Sequence, residues 1–219
     1  MIPDPTAKFI PANYTEGVTL VRGVNRCFDD LITTLANLLA YLFTADTIRS
    51  GVPPAIAPQF PFTFNSNTTE REYTIFPMQL MWAISQDESI ETLDIYVDVE
   101  MERTTRGELV NEGHQRIVRR SIGSSFIRYF EASKPRLIAI AGGHPLDWPE
   151  PWNFARVLRN AFAHEGIHFE NPNAAPVRWR SIEFGPQDNG TDPLFPLVGL
   201  GDLVDLYLEL DDAVEVCAG

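Results

Sequence analysis

Residues 151–164 read PWNFARVLRNAFAH, and their spacing sets the expectation for the chain. Phe154, Val157, Leu158, Ala161 and Phe162 fall at i, i+3, i+4, i+7 and i+8. That is one continuous apolar stripe on a helix, to be buried against neighbours. Pro151 suits a first helical turn, where its missing N–H costs nothing. Gly166 and then Asn171-Pro172 punctuate the end. The spacing predicts a helix over about residues 151–164.

Working outward, residues 108–130 read as a helix whose basic face includes Arg116, Arg119, Arg120 and Arg128, and 142–151 as a turn-rich break. Further toward the N-terminus, Val21, Val24, Phe28, Leu31, Leu35, Leu38 and Leu42 alternate spacings of three and four. Leu20, Ile32, Leu39 and Phe43 widen that seam, so 16–43 is expected to be one long bundle helix, with a dimer seam as the alternative. Pro53, Pro54, Pro58 and Pro61 forbid regular helix over 51–64, an extended loop anchored by Phe60, Phe62 and Phe64. Thr69-Glu70-Arg71-Glu72 has the form of a capping box, opening a helix through Trp82. Residues 93–101 fit both an alternating strand and a helix. Beyond the central helix, 177–184 suits a short strand, Gln187-Asp188-Asn189-Gly190 a turn, and 197–216 a final helix. The expectation is an all-α helical bundle with a small strand or hairpin insertion near residues 177–184. It forms a single domain over 1–219, with no internal repeat and no linker.

A chain of 219 residues with 44% apolar and 21% charged side chains is globular in composition. Cys27 and Cys217 match no metal or redox spacing and read as free thiols of a reducing compartment. The start carries no basic segment followed by an apolar run. The longest apolar uncharged run, 31–45, is too short to span a bilayer and contains Thr33, Thr34 and Asn37. A cytoplasmic protein without membrane contact is expected. The net charge of −13 argues against a general nucleic-acid binder, because phosphate neutralisation needs cations. Yet residues 103–180 hold 12 of the 17 basic residues and only 7 of the 30 acids, a local balance of +5. That middle segment suits an anionic ligand, or a solvated set of helix faces.

The chemistry concentrates in Arg159-Asn160-Ala161-Phe162-Ala163-His164. Cleaving RNA through its 2′-hydroxyl needs a proton acceptor active near neutrality, a role imidazole fills. It also needs a cation facing the phosphate, and guanidinium pairs with two phosphate oxygens. Asn160 lies four residues before His164, on the same helical face, where it can orient the ring or bind ribose. Arg159 and His164 diverge by about 140° around a helix, so one helix does not focus both on one phosphate. Arg156, one turn before Asn160, adds a substrate-binding cation. The hexapeptide resembles the motif of the HEPN family of helical nucleotide-binding and ribonuclease proteins. The likeness extends over about 152–214, through the Trp179 segment, Asp188-Asn189-Gly190 and Leu200-Gly201-Asp202-Leu203. It departs at Glu165, where such motifs place glycine after the histidine. The resemblance implies a metal-independent endoribonuclease of toxin or defence type, without cofactor. In it, His164 would be the acid/base, Arg159 the phosphate cation and Asn160 the orienting residue. It also implies a homodimer that pairs two motifs at a two-fold axis, RNA or a nucleotide as ligand, and an antitoxin-like protein partner. The alternative within the same family is a non-catalytic binding protein.

A second pattern overlaps the first. His164-Glu165-Gly166-Ile167-His168 has zincin spacing, with two histidine metal ligands one helical turn apart and a glutamate to activate water. A zinc hydrolase would then use His164 and His168, with Asp205 or Glu209 as third ligand. The bland alternative leaves Arg159 and Asn160 solvated and His164 as a cation at a helix C-terminus. His114 and His144 read as surface residues, the Asp202, Asp205, Glu209 row as a solvated face, and Trp148, Trp152 and Trp179 as core.

Overall fold

The structure is a computed structural model that describes residues 16–50, 62–69, 71–76, 80, 90–98, 112–194 and 197–216. The expectations for Cys217, for 51–61 and for 99–101 lie outside the described residues, as does most of 77–89. The chain divides into two compact units, Met1–Asn65 with Glu70–Gly107, and Ser66–Thr69 with Glu108–Gly219.

The first unit overturns the all-α expectation. It holds β1 (Glu16–Val21), α1 (Phe28–Ser50), β2 (Phe62–Asn65), β3 (Glu72–Ile75) and β4 (Thr92–Asp98). The four strands form one antiparallel sheet in the order β1-β4-β3-β2, so the protein is mixed α/β rather than an all-α bundle. The long helix expected over 16–43 is strand at its start and helix only from Phe28. Gly17 and the left-handed Gly23 interrupt that stretch, and Val18, Thr19 and Val21 favour a pleated backbone. Asn25 then accepts the Val21 N–H at 2.9 Å and turns the chain. The seam holds within α1, where Phe28, Leu31, Ile32, Leu35, Leu38 and Leu39 are buried. The helix expected from Thr69 is absent at Glu72–Ile75, where Tyr73, Thr74 and Ile75 form a strand. The Ser66 hydroxyl instead accepts the N–H groups of Thr68 and Thr69 and makes a turn. The ambiguous 93–101 segment is strand through Asp98. Leu93, Ile95 and Val97 are buried and alternate with the less buried Asp94 and Tyr96. Thr19 donates to Asp94 at 2.6 Å across the in-register β1–β4 pair.

The second unit comprises α2 (Glu112–Ala141), α3 (Glu150–His164), the hairpin β5 (Val177–Trp179) and β6 (Ile182–Phe184), and α4 (Leu200–Val216). The hairpin lies where the sequence suggested an insertion. Helix α3 packs against α2, α4 and β5. Its buried residues are Trp152, Phe154, Ala155, Val157, Leu158 and Ala161. Trp152 lies against Tyr129 and Phe130 of α2 and donates its indole N–H to the Leu210 carbonyl at 3.2 Å. Phe154 stacks on Phe184 and lies against Trp179 of the hairpin. A Cβ on Gly123 would meet Phe162 at 3.1 Å, so glycine lets α2 and α3 approach closely there. The apolar stripe is thus buried on two sides, and the polar flank of α3 carries the site. Among the described residues, no helix is long and apolar enough to cross a membrane.

Candidate functional site

Helix α3 presents Asn153, Arg156, Asn160 and His164 at spacings of three and four, which align them along one flank. All four line an open groove of about 1010 Å³, closed on its other sides by residues 168–171 and 173–178. Arg156, Asn160 and His164 are therefore brought together within one chain. Arg159 is not among them. Its guanidinium pairs with Glu131 of α2 at 2.7 Å, as its helical angle from His164 requires. From there it donates to the Asn160 amide oxygen at 3.3 Å, which leaves the Asn160 amino group as the donor free to serve the groove. Arg159 thus lies off the groove, tied to Glu131 of α2, a partner that no local sequence pattern indicates.

The electrostatics single out Arg156. The other arginine lining the groove, Arg178, is paired with Glu183 across the hairpin. Arg156 is half-buried and has no acidic partner among the described residues, whereas Arg119 and Arg159, whose Nε–H groups are likewise buried without an acceptor, are each paired to an acid. Burial alone shifts its pKa, and the shift is downward. A guanidinium that has lost water without gaining a counter-charge is poised to gain from an anion. The basic face of α2 is in a different state. Arg119 bonds Asp192 at 2.6 Å and Arg120 bonds Glu165 at 3.1 Å, beside a smaller hollow of about 190 Å³ that Arg116 also lines. Glu165 thus faces α2 and neutralises neither Arg156 nor Arg159.

His164 is the last residue of α3. Glu165 follows in the left-handed conformation, with φ of 58°, and the Gly166 N–H caps the Ala161 carbonyl at 2.9 Å. His168 consequently does not lie on the helix, and the helical turn that a zincin requires is not formed. Both acids expected as a third metal ligand are engaged elsewhere. Asp205 and Glu209 hold Arg180, whose guanidinium also lies over the Trp179 ring. Burial would lower the Arg180 pKa, but hydrogen bonds and charge from Asp205 and Glu209 outweigh it and raise it. Asp202 is fully buried rather than solvated. It accepts from Ser66, Thr68, the Asn67 N–H and the Gly199 N–H, and so staples 66–69 to the start of α4. Among the described residues no group of three or more histidines, cysteines and acids is placed to hold a metal ion.

The groove still places His168. Ile167 is buried, its N–H bonds the Thr191 carbonyl, and its own carbonyl accepts the Gly190 N–H, both at 2.9 Å. The Phe169 N–H bonds Asn189 Oδ1 at 2.7 Å, and Asn189 returns a bond to the Phe169 carbonyl at 3.0 Å. His168, between these two tied residues, lines the same groove as His164, their ring centres 6.0 Å apart. Comparison of the chain with protein-family profiles, with curated proteins and with solved structures gives no match.

Proposed function

We propose that the groove along α3 binds the phosphate backbone of single-stranded RNA and that the protein is a metal-independent endoribonuclease. Arg156 takes the role of phosphate-binding cation that the sequence motif assigned to Arg159. His164 removes the 2′-hydroxyl proton, and the Asn160 amide binds the ribose. The 2′-oxygen then bonds to phosphorus as the bond to the 5′-oxygen breaks, leaving a 2′,3′-cyclic phosphate and a 5′-hydroxyl. The single observation that carries this reading is the unpaired, partly desolvated Arg156 sharing one groove with Asn160 and His164. Such a cation discriminates for anions, and the adjacent imidazole supplies a group able to accept and donate a proton.

The test is incubation of a labelled oligoribonucleotide with the protein in EDTA. Wild type is expected to cleave it to cyclic-phosphate ends, and His164→Ala to lose at least about 100-fold in rate, the usual worth of a general base. Equal absence of cleavage in wild type and His164→Ala would overturn the nuclease reading. Retained binding that is lost in Arg156→Ala would then make the groove a non-catalytic phosphate site.

A further inference from the structure

Cleavage of RNA by this route needs two proton transfers, one from the attacking 2′-oxygen and one to the departing 5′-oxygen, and His164 performs only the first. The groove offers a second imidazole. His168 is exposed, lines the same groove and faces His164 across 6.0 Å between ring centres, with the rings tilted by 50°. At that separation the rings do not hydrogen-bond each other. The gap leaves room for a phosphodiester between them, a different oxygen of it hydrogen-bonded to each ring at about 2.8 Å.

Its placement is fixed by the backbone rather than by the helix. The bonds from residues 167 and 169 to residues 189–191 hold the short segment on either side of His168. A Cβ on Gly166 would meet the Gly190 backbone at 3.1 Å, so glycine allows the two strands of chain to lie this close. These bonds hold the backbone on either side of His168 and so set where its side chain leaves the chain.

We propose that His168 is the general acid of the site, an inference that rests on the ribonuclease reading. We assign the ribose to Asn160 and His164, which share the helix flank, and the leaving-group side to His168 on the facing segment. His164 takes the 2′-hydroxyl proton as the 2′-oxygen bonds to phosphorus. The P–O5′ bond breaks with its electron pair going to the 5′-oxygen, and protonated His168 gives that oxygen its proton. The histidines end with protonation states exchanged, and water resets them. The other charged residues lining the groove are Glu150, Glu170, Arg156 and Arg178.

The experiment compares two substrates, an ordinary oligoribonucleotide and one whose scissile 5′-bridging oxygen is replaced by sulfur. A thiolate departs without protonation, so this substrate needs the base and not the acid. Wild type is expected to cleave both. His168→Ala and His168→Asn should each fall at least about 100-fold on the ordinary substrate and recover to within about tenfold of wild type on the thio substrate. His164→Ala should fall on both. Full activity of both His168 variants on ordinary RNA, or an equal loss on the two substrates, would overturn the proposal while leaving the ribonuclease reading intact. Wild type inert toward both substrates would overturn that reading and the acid role with it.

Discussion

At the scale of single residues, the end of α3 illustrates how one backbone angle decides what a motif can do. Glu165 occupies the left-handed region, φ 58° and ψ 33°, which costs a residue with a Cβ on the order of 1 kcal/mol. Glycine sits there without that penalty. Glu165→Gly is therefore expected to raise stability by about 0.5 kcal/mol. The exposed pair with Arg120 that it sacrifices contributes only a few tenths. A urea midpoint that falls would mean that the pair outweighs the conformational relief. One turn earlier, the two arginines divide their roles. Arg156→Ala should weaken binding of a labelled oligoribonucleotide by roughly 10- to 100-fold, the loss of one charge-assisted contact. Arg159→Ala should change it by no more than about threefold, because Glu131 and Asn160 are its partners and no ligand is. Fluorescence anisotropy reads both, and the reverse ranking would return the phosphate role to Arg159. This division was half legible. Helical spacing alone put Arg156, Asn160 and His164 on one flank and Arg159 off it, whereas the identity of Glu131 depended on the packing of α2 on α3.

Among the elements, the legible ones were those whose stability is decided locally. The α3 stripe recurs every three to four residues over about two and a half turns, and the 177–184 hairpin is short and turn-flanked, so both could be read from pattern. The first unit was misread because the 3-4 spacing of its apolar residues continued from α1 back into β1, although Gly17, Gly23 and the β-branched residues argued otherwise. The capping-box pattern at Thr69 failed for a different reason. The turn at Ser66–Thr69 is organised by Asp202, a residue 136 positions from Ser66, and no window of sequence contains both. The same long-range bonds turned an acid expected to be solvated into a fully buried one. Asp202→Ala would strand the Ser66 and Thr68 hydroxyls and the N–H groups of Asn67 and Gly199. A loss of about 2–4 kcal/mol is expected, the cost of leaving several buried donors without their acceptor. Denaturant unfolding monitored by tryptophan fluorescence measures it, and a loss below about 1 kcal/mol would show that water replaces the carboxylate and that the staple is dispensable.

For the whole molecule, charge and completeness of the site together determine how a ligand engages. A chain of net charge −13 repels a polyanion at long range, so the groove must act through few contacts close at hand. With Arg178, Arg119 and Arg120 already paired to acids, Arg156 is the main neutraliser. The affinity for single-stranded RNA should accordingly fall only gently with salt, with a log–log slope of roughly −1. Completeness bears on assembly. A two-fold dimer was expected because Arg159 and His164 diverge on one helix, so that two copies would be needed to surround one phosphate. In the groove the cation is Arg156, and it shares a flank with Asn160 and His164 of its own chain. The chemical need for a second copy therefore disappears, whatever the association state. Isothermal titration with a short, uncleavable 2′-O-methyl oligoribonucleotide separates the two arrangements. A groove complete in one chain binds one ligand per chain, and dilution leaves the affinity per chain unchanged. A cleft shared across a two-fold axis binds one ligand per two chains and weakens on dilution as the dimer dissociates. The expected result is a stoichiometry of one to one. A ratio of one ligand to two chains would place the phosphate on the axis and restore the pairing of motifs that the placement of Arg156 makes unnecessary.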